Sequence, residues 1–317
     1  MRMQNHESVS KNKVVLILGV SMRSGTNHLY DLLGKHPQCS LASGAYEDFI
    51  LSESAYLDKF IRTLWSFWKR YTSSSVTAEL LQSKAEAFLH EILLSQVPEI
   101  NTDKLVVSKT PSTKGLEQLP VLLQSTKVLF LVRDGRSVAY SYEKSFNKSF
   151  FNAILHWQHG AIDIIKFRRK YKSYYDNNCL LIRYEDLCLD PASELKRCFD
   201  FLCIDQSMYD FSYALDSNVI GSSDIIDKAA GIHWNPIPRA NDFSPIERYK
   251  KWAIWKQKFA TVLLRKELKQ FEYDATTSQI TSLLISFLDS TYNLWKIKGL
   301  LSLGSLKRAL KSQLLKQ

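Results

Sequence analysis

A chain of 317 residues with 45% hydrophobic content has enough apolar material for one sizeable α/β domain. Lysine and arginine number 42 against 32 for aspartate and glutamate, and the formal charge of +10 suits a polyanionic ligand, an acidic acceptor, nucleic acid or an anionic membrane surface. No apolar run reaches the roughly 18 residues of a membrane span, and the opening MRMQNHESVSKNK is polar where a signal peptide is apolar. Cys39, Cys179, Cys188, Cys198 and Cys203 are scattered without disulfide-framework or metal-site spacing, so they are expected to be reduced thiols and no metal centre is expected. These features together predict a soluble, cytoplasmic protein with a flexible N-terminus over residues 1–13.

In chain order, Val14 to Leu18 is a continuous β-branched and apolar run, which predicts a strand buried on both faces. It enters the loop VSMRSGT, and from Thr26 onward Leu29, Leu32 and Leu33 recur at helical spacing until Gly34, with Pro37 just beyond. The segment from Leu51 to about Ser95 is helical in character and aromatic, with Trp65, Phe67, Trp68 and Tyr71 close together. Those rings are expected to fill core, with an inserted cap as the alternative. Further buried strands are predicted at Leu105–Val107, Val128–Val132 and Leu180–Ile182, with helical patterns between them, an alternation that implies a parallel sheet with crossover helices. Asp190-Pro191 predicts an N-cap with proline at the first helical position, followed by an apolar face of Leu195, Phe199 and Leu202. The stretch GIHWNPIPRANDFSPIERYKKWAIW predicts a long loop leading into a helix that carries Trp252 and Trp255, and SLKRALKSQLLKQ reads as a basic amphipathic surface helix.

Strand, Gly-containing loop and helix in that order build an anion site, because backbone N–H groups and the helix N-terminus point at the ligand. Ser21 to Asn27 occupy this position, but the loop lacks the GK[ST] ending of a nucleoside-triphosphate P-loop: Thr26 follows Gly25, and Arg23 precedes it by two residues. No Lys-Ser/Thr pair is available for β- and γ-phosphates and Mg²⁺, which disfavours a kinase or NTPase. A second anchor, LVRDGRSVAYSYEKSF, puts Arg133 at a strand end and Ser141 about two turns into a helix predicted to start near Ser137. Guanidinium and hydroxyl can there grip a second phosphate jointly; an ion pair between Arg133 and Asp134 closing a turn is the alternative.

Taken together, MRSGTNHLYDLL, LVRDGRSVAYS and LIRYEDLCLDP resemble the PAPS-dependent sulfotransferase superfamily, closer to its Golgi and bacterial type, including tyrosylprotein sulfotransferases, than to the cytosolic phenol and steroid type. PAPS is 3′-phosphoadenosine-5′-phosphosulfate. The resemblance runs from about residue 14 to 273 and implies a P-loop-type three-layer α/β/α fold with a central parallel sheet and helical insertions. Residues 51–95 would form one helical insert and 274–317 a helical extension. It implies that Arg23, Ser24, Gly25, Thr26 and Asn27 hold the 5′-phosphosulfate end of PAPS, and that Arg133 and Ser141 hold its 3′-phosphate. It places Tyr184 against the adenine, makes Ser222 in IGSS part of the donor site, and brings Arg248 and Lys251 over the donor. The chain departs from the family where Asn27 replaces a common threonine and His28 an apolar residue or tryptophan; Asn27 can still donate to a phosphate.

Sulfuryl transfer resembles phosphoryl transfer: it is an in-line displacement stabilised by positioning and fixed positive charge. The resemblance assigns Arg23 and Lys109 to the bridging oxygen of the leaving phosphate, with PAP as product. It also implies a glutamate general base soon after the first helix, which points to Glu47, with Asp48 as the alternative and His156 and His159 as distant ones. The histidine base of the cytosolic type is lost, since Pro111 stands in its place. The acceptor is expected to carry a hydroxyl on a carbohydrate, tyrosine, lipid or natural product; no nucleic-acid signature is present, and oligomeric state is not legible. An atypical P-loop kinase or hydrolase and a non-catalytic anion binder are the competing readings.

Overall fold

The apolar runs become strands because continuous Val, Ile and Leu can be buried on both faces only inside a helix-covered parallel sheet. The computed structural model describes residues 14–45, 47–71, 76–97, 104–216, 219–222, 236–238 and 244–276. The predicted N-terminal segment 1–13 and the basic tail lie outside the described residues. The chain runs β1 (Val14–Gly19), α1 (Thr26–Gly34), β2 (Cys39–Leu41), α2 (Ile50–Trp68), α3 (Ala78–Leu94), β3 (Leu105–Thr110), α4 (Leu119–Leu122), β4 (Lys127–Val132), α5 (Gly135–Phe146) and α6 (Phe150–Lys170). It continues as α7 (Lys172–Asn178), β5 (Cys179–Arg183), α8 (Tyr184–Leu189), α9 (Pro191–Leu202), α10 (Phe211–Asp216), β6 (Ile220–Ser222), β7 (Pro236–Pro238) and α11 (Ile254–Gln270).

Five strands form one sheet in the order β2-β3-β1-β4-β5, each pair parallel. Side chains alternate between two cores. Val14, Leu16 and Leu18 pack with α2 through α6 and α11, whereas Val15 and Ile17 pack with α1, α8, α9 and α10. This is a three-layer α/β/α fold. A smaller antiparallel pair joins β6 to β7.

Two boundaries move relative to the sequence reading. Helix α5 begins at Gly135 rather than near Ser137, because the Asp134 carboxylate accepts the Arg136 N–H and caps it there. Trp252 falls just before α11, at the end of a 3-10 turn over Arg248–Lys251, so only Trp255 is on the helix. The Asp190 cap is present, accepting from the Ser193 N–H at 3.0 Å. The aromatic residues at the end of α2 and just past it depart most from expectation. Phe67, Trp68 and Tyr71 are 66%, 42% and 84% exposed, so they do not fill core.

Register aligns the strand ends. Leu18 lies opposite Thr110, Gly19 opposite Leu131, and Val132 opposite Arg183. The chain leaves β1 for the β3 side and later crosses to β4 on the other side, which opens a crevice at the carboxyl ends of these strands, where α/β sheets bind ligands.

Candidate active site

The loop from Val20 to Gly25 closes on itself. Ser24 Oγ donates to the Ser21 carbonyl at 2.6 Å and accepts the Ser21 N–H at 3.1 Å. Arg23 and Gly25 both take left-handed backbone angles, with φ of 72° and 98°. Gly25 is the N-cap of α1 and offers no capping side chain, so the N-terminal turn of the helix faces the crevice uncapped. A Cβ on Gly25 would stand 2.3 Å from the Tyr184 ring, and one on Gly160 of α6 would stand 1.8 Å from the Val20 carbonyl oxygen. Backbone and ring thus approach the loop more closely than any side chain at these two positions permits.

The two anchors that the sequence separates by more than a hundred residues meet in space. Arg23 Nε donates to Ser141 Oγ at 3.1 Å, and Arg248 Nη1 donates to the same hydroxyl at 3.3 Å. Arg133 Nη1 donates to the Arg23 carbonyl at 3.1 Å and Nη2 to the Pro245 carbonyl. Its guanidinium lies 4.5 Å from the centre of the Tyr184 ring. Arg133 and Ser141 are buried, and among the described residues Arg133 Nε has no hydrogen-bond partner. Two guanidinium groups therefore meet at one buried hydroxyl, and a third, Arg133, is bonded to the backbone of Arg23, a donor-rich arrangement that fits a phosphate. Asp134 is not paired with Arg133. Its carboxylate instead pairs with Arg136, at 2.5 Å.

At the end of β3, the Lys109 ammonium stands 3.9 Å from Glu47 Oε1, with both side chains less than a tenth exposed, at 7% and 9%. The Lys109 ammonium also lies 5.5 Å from the Tyr30 ring centre. Burial pushes the Glu47 carboxyl up to about 7; Lys109 pulls it down and Asp48 adds to the rise. Burial lowers Lys109, opposed by the two carboxylates. Glu47 Oε2 has no hydrogen-bond partner among the described residues. Asp48 is differently employed. It accepts from Ser108 Oγ at 2.5 Å and from the Ile50 N–H at 2.8 Å, while its own N–H donates to the Lys109 carbonyl at 3.4 Å. With Phe49 N–H on Thr110 Oγ1 at 3.2 Å, these bonds strap the loop to β3.

The other expected site residues are spread more widely. Thr26 and Asn27 are buried in the first turn of α1. Tyr184 is 2% exposed, held between Gly25 and Arg133. Ser222 ends β6, where its backbone pairs with Pro236; its side chain lies outside what is described. Lys251 shares the 3-10 turn with Arg248 but is exposed. His28 Nδ1 accepts the Ile220 N–H at 3.3 Å, tying α1 to β6, and burial depresses its pKa to about 4. His156 stacks on Tyr142 at 4.5 Å, and His159 is exposed on α6.

Sequence reasoning missed the supports beneath Arg133. Glu185 accepts the Asp134 N–H at 3.0 Å and the Tyr273 hydroxyl at 2.7 Å, and Trp157 Nε1 donates to the Arg133 carbonyl at 3.0 Å. The acid following Tyr184 and the second arginine of RDGR were the available signals.

A family model described as the sulfotransferase family matches residues 15–207, which span the loop, both anchors and the Glu47–Lys109 pair. The chain belongs to the sulfotransferase family. It is 24% identical over 211 residues to protein-tyrosine sulfotransferase A of Caenorhabditis elegans, covering 63% of this chain and 53% of that protein. It is 22% identical over 263 residues to a protein-tyrosine sulfotransferase of Drosophila melanogaster, covering 78% and 48%. The chain thus spans about half the length of the curated relatives it matches. The solved sulfotransferase domain of the Synechococcus PCC 7002 olefin synthase aligns over 86% of this chain and 99% of its own, with 19% identity and a TM-score of 0.47.

Proposed function

We propose that this member of the sulfotransferase family moves a sulfuryl group from PAPS to an acceptor hydroxyl and releases PAP, with Glu47 as general base and side-chain cations in place of a metal. The observation that carries the reading is the buried Glu47–Lys109 pair at the carboxyl end of β3, on the same sheet edge as the Arg23, Arg133 and Arg248 cluster. PAPS supplies, when bound, an activated sulfuryl group whose bond to the 5′-phosphate oxygen breaks as the acceptor oxygen bonds to sulfur. The loop N–H groups of Ser24 to Asn27 and the α1 N-terminus hold the 5′ end. Arg133, Ser141 and Arg248 hold the 3′-phosphate, and Arg23 spans the two sites, its backbone in the loop and its guanidinium at Ser141. Lys109 neutralises charge gathering on the leaving oxygen. Glu47 Oε2 takes the acceptor proton, and a carboxyl poised near neutrality suits that task. Tyr184 serves as a platform under Gly25 and Arg133 rather than as an exposed stacking surface. Ser222 and Lys251 complete the closing segment of the donor site.

The supported acceptor chemistry is a hydroxyl. The tyrosine named for the two relatives is one candidate, beside carbohydrate, lipid and natural product. Calorimetry with PAP, with and without Mg²⁺, tests the donor: metal-independent PAP binding is expected, and a preference for ATP with Mg²⁺ would overturn the reading.

A further inference from the structure

Helix α2 carries an aromatic stripe on the side away from the core. Tyr56, Phe60 and Phe67 are 74%, 61% and 66% exposed, and Tyr71, just past the end of the helix, is 84% exposed. At about 100° per residue, the spacing i, i+4 and i+11 of the three helical rings confines them to roughly 40° of the helix circumference. Of the buried residues of the helix, Leu51, Ser54 and Ile61 lie on the opposite side, with Leu51 and Ile61 in the sheet core, whereas Ser52 lies near the stripe at the helix start. Monomeric surfaces rarely display large rings in such a line without a partner.

The charges around the stripe say what kind of partner fits. Lys59 is exposed beside it, and Lys69 and Arg70 are exposed just past the C-terminal end of the helix, next to Tyr71 in the chain. The acids of the helix are already matched: Asp58 to Arg62 at 2.8 Å, and Glu53 to Lys114 at 2.8 Å. Rings bordered by unneutralised cations are the chemistry of a helix lying in an anionic lipid interface. A second copy docking the same face would set these cations against themselves. The chain from residue 296 onward is an equally poor occupant, since it carries Lys296, Lys298, Lys307, Arg308, Lys311 and Lys316 and no acid. No helix among the described residues is long and apolar enough to cross a membrane.

We propose that the aromatic face of α2, with the cations beside it and just past its end, docks the protein onto an anionic lipid surface. The proposal is independent of the sulfuryl-transfer reading.

The test is co-sedimentation of the full chain with phosphatidylcholine vesicles, alone and with one quarter phosphatidylglycerol, at low and high salt. Binding to the anionic vesicles, weakened by salt, is expected. Phe60→Ser with Phe67→Ser should lower partitioning by about tenfold, as loss of apolar insertion requires. Lys69→Glu with Arg70→Glu should lower it at least about tenfold through charge alone. Both variants should keep the wild-type circular-dichroism spectrum and thermal unfolding midpoint, which checks folding. Absence of binding to anionic vesicles at low salt, or partitioning unchanged in both variants, would overturn the proposal. So would a wild-type dimer that Phe60→Ser with Phe67→Ser dissolves while vesicles bind neither form.

Discussion

On the side assigned to the phosphates, the functional groups sit on regular structure or a pinned loop: Arg133 follows β4, Ser141 is in the middle of α5, Arg248 opens a 3-10 turn, and the loop at Gly25 is pinned by Tyr184 and Gly160. On the side assigned to the acceptor, Glu47 sits between β2 and α2, held by its ion pair with Lys109 and by the bonds of Asp48 and Phe49 that strap it to β3. The first side is fixed by packing and the second by an ion pair and a few hydrogen bonds. A site that must always grip one nucleotide can be rigid, whereas the side that meets the acceptor can vary through its loop and the helices that follow.

The comparison breaks most sharply at Glu47. Glu47→Gln should lower kcat by roughly a thousandfold, within the range of a lost general base, while PAP affinity changes by less than about twofold. In the wild type, kcat/KM should rise with pH through about 7, because burial holds the Glu47 carboxyl protonated below that value and the base must be ionised. Burial lowers Lys109, so the falling limb should begin below the ordinary lysine range. A flat profile from pH 5 to 9 would remove Glu47 as the base. On the other side, Arg133→Ala should weaken PAP about a hundredfold, the loss expected when a buried charged donor is removed, as read by calorimetry. The same substitution should leave acceptor KM unchanged at saturating donor.

These two sides were also unequally legible in the sequence. The β1–loop–α1 unit could be placed because a buried strand, a glycine and a periodic helix succeed one another locally, and Arg133 because it ends an apolar run. The meeting of Arg23 with Ser141 and Arg248 could not be read, since it depends on β1 and β4 being neighbours in the sheet. The supports by Glu185, Tyr273 and Trp157 were hidden for the same reason: burial and partner geometry are long-range properties. The α2 aromatics misled because ring content implies core, whereas only the direction of the helix face decides exposure.

Rigidity on the phosphate side can be tested at Gly25. Gly25→Ala places a Cβ against the Tyr184 ring at a φ of 98°, so it should destabilise the fold by about 2–4 kcal/mol in denaturant titration. Replacing Tyr184 with leucine in that background should recover only the steric share, because the left-handed backbone remains unfavourable for alanine.

The smallest expected effect separates two adjacent carboxylates. Asp48 spends its oxygens on Ser108 and the Ile50 N–H, and Glu47 keeps one oxygen without a partner among the described residues. Asp48→Asn retains an acceptor for one of those two donors but not for both. It should therefore cost about 1–2 kcal/mol of stability and lower kcat by less than about fivefold, through a looser loop. In Asp48→Asn the larger change should fall on acceptor KM, whereas in Glu47→Gln the loss should fall on kcat itself. If Asp48→Asn abolishes turnover while the strap remains intact by hydrogen exchange at Ile50, the base is one residue further along the loop.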